Sequence, residues 1–548
     1  MLEGYLGTTL ASLLGFTLVV LLLGLGAPTR LSQLLRALES RRFAVSASIA
    51  VLTAFTAALV LNAAYAGYLD HAEPTIASVS WLLSKGIPIY HPIDSADRYS
   101  ILYGPTTYLP YAGAMWLGGG RISTLKIVIL AANVGTLAFL WRAYRTIWGR
   151  DGALLTTSLV LVFLFVPRPN TYLFQVRGDV LIVTSVAAGL YAASCRSRWG
   201  GVVLSLAAAV AIDAKVSGFL YFVPVFLRFA ERRGWRATLT TALGALGIAA
   251  LPFLLPNVSL PRYWAWFQES TRHPRSLGDL MSSVRSLAAL ALPLLLIAGS
   301  RPWRSPSIVA YWRAGRPRLL ALAVCVAIVV VLSSKLGAGP HHLLPFIPVL
   351  GYEYALLYRA SRARWSEQRP RLFRFGGGAL AVFVVVRVSG GLGETCSLVR
   401  GEWARAPAVL ADVEAVASRY APRRVEMGYG EREEGVTLAR LPLVVANNHV
   451  TVDDVAVDDM QLAGLEMPPA TVDELGTCST AVWLIPKGEA PFRLENFYRH
   501  LAPGVVPDRP LFSGAFRDAF LRTYRKDAST EFFDLWVCGE PSTMAPAP

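Results

Sequence analysis

Ten titratable side chains could do chemistry because of where they fall. Asp70, His71, Glu73, Arg177, Asp179, Asp213, Lys215, Lys335, His341 and His342 each sit inside an apolar run or at the mouth of one. A charge in such a place is expensive, so it is paired, solvated at a helix end, or employed. The set mixes carboxylates, which can take a proton or bind a metal, with cations that suit phosphate oxygens. The densest group is "GYLDHAEP", residues 67–74. Asp70 and Glu73 are three apart there, and one helical turn puts both on the same side.

The elements that must position these groups are apolar. The chain has 548 residues, 54% hydrophobic and only 16% charged, which excludes an ordinary soluble domain and points to a polytopic membrane protein. The net charge of +15 is unevenly spread. Residues 1–392 carry 37 Lys+Arg against 14 Asp+Glu, whereas 393–548 carry 15 against 23. The positive excess therefore reports membrane orientation rather than nucleic-acid binding.

Hydrophobic runs recur at 7–26, 43–66, 122–147, 152–167, 179–195, 200–213, 216–230, 237–256, 284–300, 318–334, 341–358 and 375–392, predicting about 12 spans. Six alternate connections hold 24 arginines and no lysine, among them "WRAYRTIWGR" and "RFAERRGWR". The positive-inside rule puts them in the cytoplasm. Both termini, the loop 67–121 and everything from 393 onward then face outward. The expected division is a membrane domain over 1–392 and a soluble α/β domain over 393–548, periplasmic or extracellular.

Within the loop 67–121, "EPTIASVSWLLSKG" and "GPTTYLPYAGAMWLGGG" predict two helices at the outer interface. In the tail, "RRVEMGYG", "LPLVVANN", "TAVWLIPKG" and "EFFDLWVC" read as strands. "PAVLADVEAVASRY" and "SGAFRDAFLRTYRK" read as helices. Cys396, Cys478 and Cys538 lie in this outer part. If the strands holding Cys478 and Cys538 are antiparallel neighbours, those two thiols come within bonding range. Asp453, Asp454, Asp458 and Asp459 read as a solvated face. The His341–His342 pair lacks a third ligand at metal spacing.

The first outer loop, "LDHAEP…LLSKGIPIYHP…YSILYGPTTYLPYAGAMWLGG", resembles that of GT-C superfamily glycosyltransferases that use polyprenyl-phosphate sugars. "FQVRGDVLIVTSVAAGLY" and "KLGAGPHHLLPFIPVL" are similar to later stretches of bacterial protein-mannosyltransferase-like and aminoarabinose-transferase-like members. The resemblance spans roughly residues 43–358. It implies a GT-C-like helical fold and an inverting transfer of a sugar from a polyprenyl-phosphate donor to a hydroxyl of a glycan, lipid or protein. It further implies Asp70 as base with Glu73 beside it. Arg177, Lys215, Lys335, His341 and His342 would bind the donor phosphate, and His71, Tyr90, Tyr103 and Asp179 would line the acceptor and sugar pocket. The family's acids are often adjacent, and here they are three apart. No cofactor is required, although a Mg or Mn ion between Asp70 and Glu73 is the alternative. Two other functions fit the composition: a lipid or polysaccharide flippase, and a glycan ligase with a diphosphate-linked donor.

Overall fold

A computed structural model describes residues 41–165, 170–299, 306–368, 401, 403–432, 435–499, 506 and 508–539. The runs 7–26 and 375–392, and Cys396, lie outside the described residues. The membrane part is helical: α1 (Arg41–Ala64), α2 (Ala72–Ser84), α3 (Leu109–Gly118), α4 (Ile122–Phe165), α5 (Gly178–Ser194), α6 (Gly200–Ala214), α7 (Gly218–Arg233), α8 (Trp235–Ala250), α9 (Leu260–Thr271), α10 (Leu277–Gly299), α11 (Pro306–Leu332) and α12 (Ile347–Gln368). Among the described residues, four stretches are long and apolar enough to cross a membrane: Val45–Ala64, Ile122–Ile147, Trp235–Leu254 and Val309–Leu332. Helices α5 and α6 are apolar but shorter. Their middle positions are mostly Ala, Val, Leu and Gly; they pack on one another, and α5 packs on α4.

The basic segment 142–150 interrupts α4 without a separate loop. Gly149 adopts φ 75°, a left-handed conformation that only glycine takes cheaply, and the helical path turns there. At the other end of α4, Lys126 donates to the carbonyls of Asn62 (2.7 Å) and Tyr65 (2.5 Å) at the close of α1. A cation at a helix C-terminus meets unsatisfied carbonyls and the negative end of the dipole. It fixes where the chain leaves α1 toward Asp70.

The tail continues with α13 (Arg405–Tyr420), β1 (Val425–Met427), α14 (Leu441–Asn447), α15 (Asp454–Leu462), α16 (Pro469–Gly476), β2 (Val482–Pro486), α17 (Gly514–Thr523), β3 (Tyr524–Ser529) and β4 (Phe533–Cys538). The sheet order is β1-β2-β4-β3, with β1 parallel to β2 and the other pairs antiparallel. Strand β2 is buried throughout, and its alternation sorts its side chains onto two faces. Trp483 and Ile485 join Phe492, Phe516 and Phe520, while Val482 and Leu484 join Val409, Val413 and Val416 of α13. Two tail expectations need correction. "LPLVVANN" is the helix α14, started by Pro442 in its first turn and ended by Asn448 at φ 51°. The helix at "SGAFRDAFLRTYRK" stops at Thr523, and the rest turns into β3.

Cys478 and Cys538 form a disulfide, the pairing that antiparallel β2 and β4 allow. The tail also packs on the outer loop. Leu441, Val444, Val450, Ala456 and Met460 share one core with Ile76, Val79, Tyr108 and Tyr111 of the outer loop. Backbone bonds join the two, from Arg98 N–H to the Thr451 carbonyl (2.7 Å) and from Asp453 N–H to the Arg98 carbonyl (2.8 Å). Helix α2 is accordingly buried over Ala72–Leu83, enclosed by protein rather than resting at an interface.

Candidate active site

The segment Leu69–Glu73 closes on itself and on the turn before α5. Asp70 Oδ1 accepts from the Ala72 N–H (2.9 Å) and from Arg177 Nη1 (3.1 Å). Glu73 accepts from the Leu69 N–H at Oε1 (2.6 Å) and from the Val176 N–H at Oε2 (2.8 Å). The two acids are therefore neighbours with different work. Glu73, 1% exposed, has both oxygens spent on backbone from two segments. Asp70 keeps 16% of its side chain accessible, and both of its bonds fall on one oxygen.

Arg177 is the hub. Its Nη2 donates to the Tyr103 hydroxyl (3.2 Å), its guanidinium stacks over the Tyr172 ring at 4.3 Å, and its Nε lies 3.5 Å from Asp179 Oδ2. Asp179 Oδ1 in turn accepts from Lys215 Nζ at 2.7 Å, and Lys215 also sits 5.1 Å over the Tyr103 ring. The result is a buried chain of alternating charge, Asp70–Arg177–Asp179–Lys215. Each link satisfies a charge that would otherwise be costly to bury.

The turn carrying Tyr103 is tightly seated. A Cβ on Gly104 would meet the Asp213 carbonyl oxygen, and the Gly104 N–H donates to the Ala214 carbonyl (3.0 Å). Asp213 accepts from the N–H (2.8 Å) and the hydroxyl of Thr106. Asp213 thus anchors this turn to the end of α6. Tyr90 is 1% exposed and donates to the Tyr103 carbonyl (2.7 Å), which ties it to this turn.

His341 packs on Tyr172 (ring centroids 4.3 Å) and on His342 (4.7 Å), and both face the field of Asp179, Lys215 and Arg177. They lie at the start of a 3-10 helix, Pro340–Phe346, that leads into α12, so the N-terminus of α12 itself does not open at the pair. Lys335 is turned elsewhere: its Nζ meets the carbonyls of Ser270 and Thr271 (both 3.4 Å). Lys215 sits at the C-terminal cap of α6.

The tail roofs this chain of charges. The Phe497 ring lies 6.0 Å from that of His71, and Tyr498 shares a small core with Leu336, Leu462 and Val506. Asp453 and Asp454 are buried, which corrects their reading as a solvated face. Arg440 Nη2 reaches both (2.8 and 3.1 Å), and the Thr75 hydroxyl of α2 donates to Asp453 (2.9 Å). Asp459 is half-buried, and burial pushes its carboxyl up to about 7. Tyr172, Arg440 and Phe497 carry no sequence signal that separates them from core or surface residues.

Burial raises Asp70, but Arg177, His71 and the Ala72 N–H outweigh it, holding the carboxyl below its ordinary value. Burial also dominates Glu73 and pushes it up to about 7 against the pull of Lys126 and two N–H donors. Among the described residues no three His, Cys, Asp or Glu side chains converge to hold a metal.

No family model matches the sequence, and no curated protein matches it. Solved structures do match. ArnT from Cupriavidus metallidurans bound to undecaprenyl phosphate is 14% identical, covering 91% of this chain and 99% of its own, with a TM-score of 0.50. The apo state of the same protein is 16% identical over 90% and 98%, with a TM-score of 0.49. The Archaeoglobus fulgidus oligosaccharyltransferase in its apo form is 10% identical over 80% and 69%, with a TM-score of 0.38. The first shows a shared fold over nearly the whole of both chains, and that fold is the GT-C fold expected from the outer-loop motifs.

Proposed function

We propose that the chain is an inverting glycosyltransferase that moves a sugar from a polyprenyl-phosphate carrier to an acceptor hydroxyl at the outer face of a cytoplasmic membrane. About 12 spans, an outward tail and both termini outside complete this reading. The observation that carries it is Asp70. It is a partly open carboxylate, tethered through one oxygen, at the end of a buried charge chain that also holds Arg177 and Lys215.

The acceptor oxygen attacks the anomeric carbon, the bond from that carbon to the phosphate oxygen breaks, and the electron pair leaves on phosphate. Asp70 takes the acceptor proton on Oδ2, while Arg177 and Lys215 meet the charge that grows on the phosphate oxygens. The lowered pKa keeps Asp70 ionised at any physiological pH. Glu73 orients this apparatus. Its two oxygens already serve two backbone N–H groups, which supports a metal-independent reaction over an ion shared between the acids.

The test is Asp70→Asn, which keeps the shape and removes the proton acceptor. A positioned base is worth ~10²–10⁴ in rate, so kcat falls by that factor while donor affinity holds. Full turnover in Asp70→Asn refutes the assignment. Chelator that silences the wild type, with Asp70→Asn and Glu73→Gln equally dead, restores the metal alternative.

A further inference from the structure

A histidine of the tail is held between two carboxylates where the tail meets the outer loop. His449 Nδ1 lies 3.0 Å from Glu426 Oε1 of β1, and its Nε2 lies 3.2 Å from Asp97 Oδ1 of the loop 67–121. An ionised carboxylate only accepts, so both ring nitrogens donate, and a ring with two N–H groups is an imidazolium. Glu426 is buried and takes three further bonds, from the Thr451 N–H (2.9 Å) and hydroxyl (2.8 Å) and from the Thr480 hydroxyl (3.3 Å). The ring is thus fixed to the tail through Nδ1, and Nε2 is the atom that reaches across.

Nε2 has a second neighbour of the opposite kind. Arg424 Nη1, just ahead of β1, lies 3.4 Å from it and 4.0 Å from Glu426 Oε1. While Nε2 carries a proton it donates to Asp97, and the guanidinium beside it is a like charge that Glu426 offsets. Once that proton leaves, Nε2 presents a lone pair, which accepts from Arg424 and has nothing to give Asp97. Loss of one proton therefore exchanges a partner in the loop for a partner in the tail, while the bond from Nδ1 to Glu426 survives. Burial opposes the charge on the ring, but its bonds to Asp97 and Glu426 outweigh burial and raise the imidazolium to about 9. The His449 side chain is 23% exposed and that of Asp97 34%, so solvent protons reach the pair with the tail in place.

The neighbouring ties are neutral. They are the Arg98 N–H to the Thr451 carbonyl, the Asp453 N–H to the Arg98 carbonyl, and Trp81 Nε1 to the Asn448 side-chain oxygen (2.9 Å). Asp97 stands six residues before Tyr103, whose hydroxyl accepts from Arg177. We propose that His449 is a proton-held latch between the tail and the outer loop: the charged ring grips Asp97, and loss of its Nε2 proton loosens that stretch of loop from the tail. The latch stands whether or not Asp70 is the base.

The experiment follows hydrogen exchange, by millisecond labelling, of the full-length protein in nanodiscs. Wild type is compared with Asp97→Ala, which removes the loop's acceptor, with His449→Ala, and with the double variant. The reporters are the segments 97–99 and 451–453, whose amides cross the seam, and β2 is the control for an intact fold. Dividing each variant's rate by the wild-type rate at the same pH cancels the intrinsic dependence of exchange on pH. Where the ring is charged, both single variants exchange about tenfold faster at the seam with β2 unchanged, the mark of local opening. The double variant is no faster than the singles, because the two residues act as one contact. The folded value is raised from 6.5 to about 9, so the latch is complete below 6.5 and is lost as pH rises through about 9. The ratio accordingly falls toward one across that window. A ratio that stays flat with pH, a ratio of one throughout, additive single effects, or equal acceleration in β2 overturns the proposal. Where His449→Ala does not accumulate, Asp97→Ala carries the pH and control criteria alone.

Discussion

Replacing Glu73 by glutamine asks whether this residue does chemistry or holds geometry. Each carboxylate oxygen accepts one backbone N–H, from Leu69 at 2.6 Å and from Val176 at 2.8 Å. An amide supplies one acceptor and one donor. Glu73→Gln therefore keeps one bond and points its NH2 at the other N–H. A hydrogen bond to a charged group contributes about 1.5–3 kcal/mol, and a buried donor left unmet costs about 1–3 kcal/mol. These overlap, so the expected loss is about 2–4 kcal/mol, concentrated where Asp70 and the turn before Arg177 are tied together. The assay is thermal unfolding beside steady-state kinetics. Both the midpoint and kcat should fall, whereas Asp70→Asn, whose amide oxygen can still accept from Ala72 and Arg177, loses kcat with a smaller fall in midpoint. The pH dependence has a definite sign. Burial raises the folded carboxyl to about 7, so between its unfolded value of 4.5 and 7 the folded state holds a proton that the unfolded state has lost. Wild-type stability contributed by this group therefore falls as pH rises through that window. Glutamine does not titrate, so the gap between wild type and Glu73→Gln is widest near pH 5 and narrows toward pH 7. An unchanged midpoint and kcat in Glu73→Gln, or a gap that widens with pH, refutes this reasoning.

Three further outcomes are expected. Lys215→Met strands Asp179, and breaking a buried pair costs about 3–5 kcal/mol; the double variant Lys215→Met/Asp179→Leu recovers most of that in thermal unfolding while donor binding stays lost. Equal stability in the single and double variants would show the pair to be unimportant. Non-reducing peptide mapping finds Cys478 joined to Cys538, and Cys478→Ser lowers tail stability by about 2–4 kcal/mol; a peptide joining Cys396 to either of them contradicts the sheet register. In intact spheroplasts an impermeant thiol reagent labels Ser529→Cys and spares Ser366→Cys, and the reverse pattern inverts the proposed topology.

The acids, the cations and the outer-loop motifs were legible because charge is rare in apolar sequence, which makes each exception visible. Asp70, Arg177, Asp179 and Lys215 were found that way, and the structure joins all four in one chain of ion pairs. What sequence could not supply was the division of labour among them. Asp70 and Glu73 look equivalent at a spacing of three, and only the Leu69 and Val176 N–H groups show that Glu73 is occupied. Asp453 and Asp454 were misread because four acids in seven residues normally mean solvent; their partner Arg440 lies 13 residues away, and their third contact, Thr75, lies 378 residues from Asp453. "LPLVVANN" misled because a short apolar run has no period to distinguish strand from helix, so its packing on α2 decides. Tyr172 gave no signal because an aromatic stacked under a guanidinium has the same letters as one in a core.

The charge chain also limits how the proposed donor can bind. Two carboxylates and two cations alternate, so the chain is close to neutral by itself and neither cation stands idle. A phosphate that approached Lys215 from outside would face Asp179, held 2.7 Å from the ammonium and 2% exposed. Two responses are open to the chain, and their energies differ. Pulling Lys215 off Asp179 strands a buried carboxylate, at about 3–5 kcal/mol. Letting the phosphate share Lys215 with Asp179, while Arg177 Nε turns to it, gives up only the 3.5 Å contact of Nε with Asp179, and Arg177 Nε is a buried donor with no hydrogen bond at present. Sharing is the cheaper course. It places the phosphate between Arg177 and Lys215 beside Tyr103, the ring that both cations already touch. The proposed transfer then requires the anomeric carbon to lie toward Asp70, the far end of the same chain. Asp179→Asn should then tighten the phosphomonoester product more than the donor, since one negative neighbour is removed and the product carries the greater charge. Slower product release, seen as a burst of turnover followed by a reduced steady rate, is the expected result; equal affinities for donor and product in Asp179→Asn would place the phosphate elsewhere.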